Sequence, residues 1–196
     1  LHVLVPQSIN QLLNRYPTKN LGLSGGLFAN VLLNQVIAEN CPIERIFIYP
    51  AMSDAGLSSG GALQHLLEND GIEEWLKNRN RCKNLYLGKN YNGIIDEYFT
   101  QSDRIVKDSG EPVKQTIDAL KNGDAVAIYN LGMEFGPRAL GARSVLASPH
   151  DKEINHSLNL RMERSEFMPF APYVRDIDAQ EVFNLPESFM EAARFM

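Results

Sequence analysis

The sequence has little cysteine and little tryptophan: Cys41, Cys82 and Trp75 are the only examples in 196 residues. Two cysteines build neither a disulfide framework nor a zinc cluster, and their scarcity fits a reducing compartment. No apolar run approaches the ~20 residues that span a bilayer, and no charged-then-apolar leader opens the chain. The expectation is a cytoplasmic protein with no membrane partner, in which the Asn155-His156-Ser157 sequon is a chance match. A run of lysine and arginine is also missing. With 19 basic against 24 acidic residues the net charge is −5, which argues against nucleic acid and favours a small polar partner. The histidines, His2, His65, His150 and His156, lack metal-ligand spacing such as an i, i+4 pair.

What is present suffices for real cores. At ~150 residues per domain, the length predicts one large domain or two small ones, and 44% of residues are apolar. The chain starts at Leu1 and stops straight after an amphipathic stretch, so it reads as a piece of a longer protein. Along residues 1–68, strand and helix alternate: a helix around Ile9, Leu12, Leu13 and Tyr16, a strand at 21–24, a helix from Leu27 to Glu39, a strand at 45–49, and a helix carrying Leu57, Leu63, Leu66 and Leu67. Strands separated by helices imply βαβ units. A polar stretch follows, placing a first domain at 1–70, a linker at 71–90 and a second domain at 91–196. In the second, helices are expected at 93–100, 112–121 and 152–161, with strands at 125–129, at Val145-Leu146 and from Val174.

Two constellations carry chemistry. In the first, strand, Gly25-Gly26 and helix are arranged as where backbone amides approach a phosphate at a helix N-terminus, although the same pattern makes a plain α/β turn. Asp54 follows the next strand end among small residues. A carboxylate there suits a metal or a ribose hydroxyl, or else caps the following helix. Gly60-Gly61 within that helix implies close approach of backbone or ligand. In the second, Arg138 and Arg143 lie in the glycine-punctuated stretch from Glu134 to Ser144, where planar guanidinium forks suit phosphate or carboxylate oxygens and Ser144 adds a hydroxyl. Arg138 could instead pair with Glu134 as a salt bridge. Arg161 and Arg164 are weaker candidates beside Glu163 and Glu166.

Both constellations resemble one family. Leu21-Gly22-Leu23-Ser24-Gly25-Gly26 to Asn30, with Tyr49-Pro50-Ala51-Met52-Ser53-Asp54-Ala55-Gly56, resembles the end of the catalytic domain of O-carbamoyltransferases of the nodulation-factor and antibiotic-tailoring kind. Glu134-Phe135-Gly136-Pro137-Arg138-Ala139-Leu140-Gly141 with Arg143-Ser144, then Pro169-Phe170-Ala171-Pro172, resembles the start of their second domain. The resemblance implies an α/β plus α+β architecture: the C-terminal part of an actin-like ATPase (ASKHA) domain, then a partial YrdC-like twisted-sheet domain that forms carbamoyl adenylate. It implies ATP and a divalent metal, iron or magnesium, as cofactors, and carbamoyl phosphate and a small-molecule hydroxyl acceptor as substrates, with homodimerisation an option. Gly25, Gly26, Asn30 and Arg164 would then bind nucleotide, and Asp54 would join two histidines outside this chain as a metal ligand. Arg138, Arg143 and Ser144 would be the catalytic candidates at the phosphate-contacting region.

The chain departs from the pattern at four places. Met162 and Met168 stand where the resemblance leads one to expect a lysine and an arginine, Ser165 replaces a glutamate, and Leu131-Gly132 replaces a glycine and a basic residue. Losing two cations weakens a phosphate site, because a thioether offers no comparable donor. The expectations are therefore an ATP-dependent O-carbamoyltransferase whose fragment alone is inactive, a catalytically silent nucleotide-binding homologue acting as a regulatory or scaffold module, or an actin-like ATPase or sugar kinase.

Overall fold

A parallel strand pair and an antiparallel strand pair organise the described residues. The structure is a computed structural model and describes residues 1–79, 83–91, 94, 110–164 and 170–195. The helix expected at 93–100 and the residues Cys82, Ser165, Met168 and Pro169 lie outside them, apart from Ile94. Contacts divide the chain into two units, one of Leu1–Leu85, Phe135–Arg138 and Val174–Met196, the other of Tyr86–Glu134 and Ala139–Tyr173.

In the first unit, α1 (Leu4–Arg15) leads to β1 (Asn20–Leu23), then a 3-10 turn at Gly26–Ala29 and α2 (Val31–Asn40). β2 (Arg45–Ile48) pairs with β1 in parallel, Leu21 opposite Ile46 and Leu23 opposite Ile48. This βαβ order is the one that the alternation of apolar segments implies. Period-2 patterning sends Leu23, Ile46 and Ile48 to the buried face and leaves Phe47 exposed. Against that face α2 sets Leu33 and Ile37, both fully buried, and α1 adds Ile9 and Leu13. Cys41 fills the same core as a free thiol whose pKa is raised by burial. The predicted helix from Leu27 to Glu39 is broken at Asn30, whose backbone is extended and whose Oδ1 accepts from Leu33 N at 3.0 Å. An Asx side chain that caps a helix starts it afresh, so the preceding turn stays 3-10.

A second 3-10 turn, Asp54–Gly56, opens α3 (Leu57–Asn78), which is interrupted at Gly71 by a φ of +78°. Around Gly60 and Gly61 a Cβ would meet nothing within 4 Å, so no other backbone among the described residues makes the close approach that is one reading of this pair. At the other end of the sequence, α6 (Ala179–Phe183) and two 3-10 turns, Glu187–Phe189 and Ala192–Phe195, belong to the first unit. Phe189 and Ala192 enter its core, because β2 and α2 leave apolar surface that they cover. The strand expected from Val174 does not form.

The second unit carries α4 (Pro112–Lys121), β3 (Val126–Tyr129), β4 (Arg143–Leu146) and α5 (Ile154–Arg161). Pro112 sits in the first turn of α4, where its missing N–H costs nothing. β3 and β4 are antiparallel, Tyr129 opposite Arg143 and Ile128 opposite Ser144. None of the described helices is long and apolar enough to cross a membrane.

Two substitutions check this packing by chemical denaturation. Leu33→Ala empties a fully buried position and is expected to cost about 2–5 kcal/mol. Asn30→Ala removes one cap and is expected to cost about 1 kcal/mol.

Candidate functional site

The first constellation assembles at the carboxyl ends of the parallel strands. Gly25 follows β1 with a φ of +114°, a conformation that glycine adopts without strain, and its N–H donates to Met52 O at 2.7 Å. The loops leaving β1 and β2 are thereby joined, and Gly26 lies 4.0 Å from the Ser53 side chain measured from an ideal Cβ. Asp54 is exposed at the start of its 3-10 turn, and Gly56 behind it has no room for a side chain, since a Cβ would lie 2.1 Å from Ala51 O. In open α/β sheets this edge of the strands is where ligands bind. The described residues contain no group of three or more His, Cys, Asp or Glu able to hold a metal, so Asp54 does not by itself make a metal site.

The first unit also takes Phe135–Arg138 from the second constellation. The Phe135 N–H donates to Leu85 O at 2.8 Å, and its ring meets Tyr49 edge-on, with centroids 6.1 Å apart. Gly136 has a φ of +109°, and a Cβ there would lie 2.5 Å from Pro50 O. Only glycine fits both restraints. Arg138, carried past this contact, donates from Nη2 to Ala29 O, while its buried Nε has no hydrogen-bond partner among the described residues. Arg138 therefore stands beside the Gly26–Ala29 turn and not in an ion pair with Glu134.

In the second unit Glu134 has another task. Its Oε1 accepts from the N–H groups of Leu140 (3.2 Å), Ala142 (2.8 Å) and Arg143 (3.0 Å) and from the Ser144 hydroxyl (3.0 Å). Burial pushes this carboxyl up, but the backbone N–H groups of Arg143, Glu134 itself, Ala142 and Leu140 outweigh burial and hold it at about 2. Ser144, only 8% exposed, donates to Glu134 and accepts from Gly141 N at 3.0 Å, so its hydroxyl is engaged inside the loop. Sequence reading gave Glu134 no such role. The signal available was a carboxylate just before a glycine-rich turn, where backbone N–H groups converge.

Arg143 lies flat on Tyr129, its guanidinium carbon 3.5 Å from the ring centroid. Its Nη2 donates to Leu131 O at 2.8 Å. Leu131 has a φ of +53°, and its N–H is held by Asn130 Oδ1 at 2.8 Å. Next to it, Gly132 has no space for any side chain, because a Cβ would lie 2.3 Å from Gly88 O. The departure from a basic residue at 132 is thus matched by close approach of the 86–88 backbone. Tyr86 donates to Leu140 O at 2.8 Å, closing the loop from the other side. At the end of α5, Arg164 stacks over Phe170 with its guanidinium carbon 5.2 Å from the ring centroid, whereas Met162 is 38% exposed. The structure thus brings Gly25, Gly26, Asn30 and Arg138 together in one unit and Arg143, Ser144 and Glu134 together in the other.

Residues 2–63 match the family model for the carbamoyltransferase N-terminus, and residues 117–196 match that for the carbamoyltransferase C-terminus. The chain belongs to the carbamoyltransferase family. Among similar proteins, one from Methanocaldococcus jannaschii, MJ1058, is 33% identical over 91% of this chain and 30% of its own length. Nodulation protein NolNO of Sinorhizobium fredii is 30% identical over 88% of this chain and 26% of its own length. Nodulation protein NolO of Bradyrhizobium diazoefficiens is 32% identical over 85% of this chain and 31% of its own length. The chain therefore spans under a third of the length of these relatives.

Two outcomes test the geometry. Gly136→Ala should displace Arg138 from Ala29, seen by thermal denaturation as a loss of more than about 1 kcal/mol, because the new Cβ meets Pro50 O on a backbone of positive φ. For Glu134, a folded-state pKa held below the ordinary 4.5 means that its contribution is present above that value and is lost as the pH falls toward about 2. The stability advantage of the unsubstituted chain over Glu134→Gln, followed as Tm against pH, should be full near neutrality and vanish across that acid window.

Proposed function

We propose that the protein is part of an ATP-dependent O-carbamoyltransferase, in which the first unit belongs to an actin-like ATPase domain and the second to a YrdC-like domain. The observation that carries this reading is the ordered match of the N-terminal and C-terminal family models to one chain, with an immobilised guanidinium, that of Arg143, in the second. The acceptor in this reading is a small-molecule hydroxyl, of a sugar or oligosaccharide, as the resemblance to nodulation-factor carbamoyltransferases implies, and relatives that carry the name nodulation protein are in keeping with that resemblance.

In this scheme carbamoyl phosphate loses inorganic phosphate to water, and the carbamate oxygen attacks the α-phosphorus of ATP with pyrophosphate leaving. The acceptor hydroxyl then attacks the carbamoyl carbon, its proton passing to a base, and AMP departs. Arg143, its guanidinium held against Tyr129, offsets charge on the phosphates. Arg164, stacked on Phe170, offers a second guanidinium for the nucleotide. Gly25 and Gly26 let a nucleotide's phosphates approach the backbone ahead of α2, and Arg138 holds the carbonyl side of that same turn. No step is assigned to a metal, because the described residues do not complete a metal site around Asp54.

The test is carbamoyl-phosphate-dependent exchange of labelled pyrophosphate into ATP by the full-length protein. Exchange is expected, and Arg143→Ala should lower it by ~10²-fold or more. Nucleotide binding without exchange would instead favour a silent, regulatory homologue, the reading that Met162 supports. An Arg143→Ala protein with undiminished exchange would remove that residue from the reaction.

A further inference from the structure

The second unit contains an array built for an anion and already filled. The N–H groups of Leu140, Ala142 and Arg143 converge on Glu134 Oε1, at 3.2, 2.8 and 3.0 Å, and the Ser144 hydroxyl completes the set at 3.0 Å. Successive backbone N–H groups in such a concavity form the kind of nest that elsewhere receives the oxygens of a phosphate. Here the chain supplies the oxygen itself, so these amides are not open to a substrate. Gly141, with a φ of +87°, turns the backbone so that its neighbours point inward, and β4 fixes the far end of the loop.

Arg143 joins this nest to the solvent. Its N–H ends on Glu134, and its side chain runs the other way, onto the Tyr129 ring and Leu131 O. A guanidinium anchored at backbone and ring loses little freedom when it binds an anion, and this is the condition for selective recognition. We infer that Glu134 is a positioning residue: an internal carboxylate that fills the Leu140–Arg143 nest and thereby sets the direction of the Arg143 guanidinium. The inference rests on the reading of Arg143 as an anion ligand and deepens it.

A filled nest predicts that an untethered anion can replace the tethered one. The test uses Glu134→Ala and Glu134→Gln in the full chain, titrated with sodium formate against sodium chloride at equal ionic strength. The readouts are hydrogen exchange at the Ala142 and Arg143 amides and the NMR position of the Arg143 Nε–H, which the Tyr129 ring current displaces. Glu134→Ala should lose protection by roughly tenfold or more and lose the ring-current displacement. Formate should restore both and chloride neither. In the exchange assay, formate should likewise return a raised KM for carbamoyl phosphate toward its original value, with kcat changed less.

A folded Glu134→Ala protein whose Arg143 signal is unaltered, or whose loop ignores formate, overturns the inference. If the alanine variant does not fold, Glu134→Gln decides: its neutral oxygen should keep the fold while lowering Ala142 and Arg143 protection several-fold and raising the KM. An unchanged Arg143 signal in that variant overturns the inference equally. Formate-dependent return of the Arg143 signal in a protein whose unsubstituted form exchanges no pyrophosphate would sink the carbamoyl-transfer reading and uphold the role of Glu134.

Discussion

A partly buried carboxylate is costly unless donors surround it, and Glu134 is surrounded. Three backbone N–H groups and one hydroxyl reach a single oxygen, which turns a desolvated charge from a liability into the point about which the 140–144 loop is arranged. The neighbouring strain follows from the same arrangement. Leu131 adopts a left-handed conformation, uncommon for a branched apolar residue, and it is held there by Asn130 on one side and Arg143 on the other. Remove the carboxylate and the N–H groups of Leu140, Ala142 and Arg143 lose the acceptor they share.

Backbone proximity sets the second theme. Gly56, Gly132 and Gly136 each stand where a Cβ would lie between 2.1 and 2.5 Å from a carbonyl oxygen. At Gly136 the effect reaches furthest, because that contact delivers Arg138 to the turn that precedes α2. Residues contiguous in sequence from Glu134 to Ser144 thus serve two units: Phe135–Arg138 the first, Glu134 and Ala139–Ser144 the second. A single motif supplies one arginine to each.

In the scheme we propose, this division has a chemical sense: forming an acyl adenylate and passing the acyl group onward are separate steps, and each would use positive charge near phosphate oxygens. Stacking on Tyr129 and on Phe170 gives Arg143 and Arg164 fixed planes without neutralising them, which an ion pair would have done.

The sequence by itself determined the βαβ order of the first unit, since apolar residues at period 2 in β1 and β2 and at helical spacing in α1 and α2 leave one way to bury Leu23, Leu33, Ile37 and Ile48. It also marked which segments are candidates for chemistry, because glycine pairs and clustered arginines are local signals. What only tertiary structure decided was partnership. Local pattern said nothing of Glu134 choosing amides over Arg138, or of Phe189 and Ala192 returning to the first core. Each of those outcomes depends on groups that meet only after the chain has turned back on itself, and no period in the sequence encodes such a meeting.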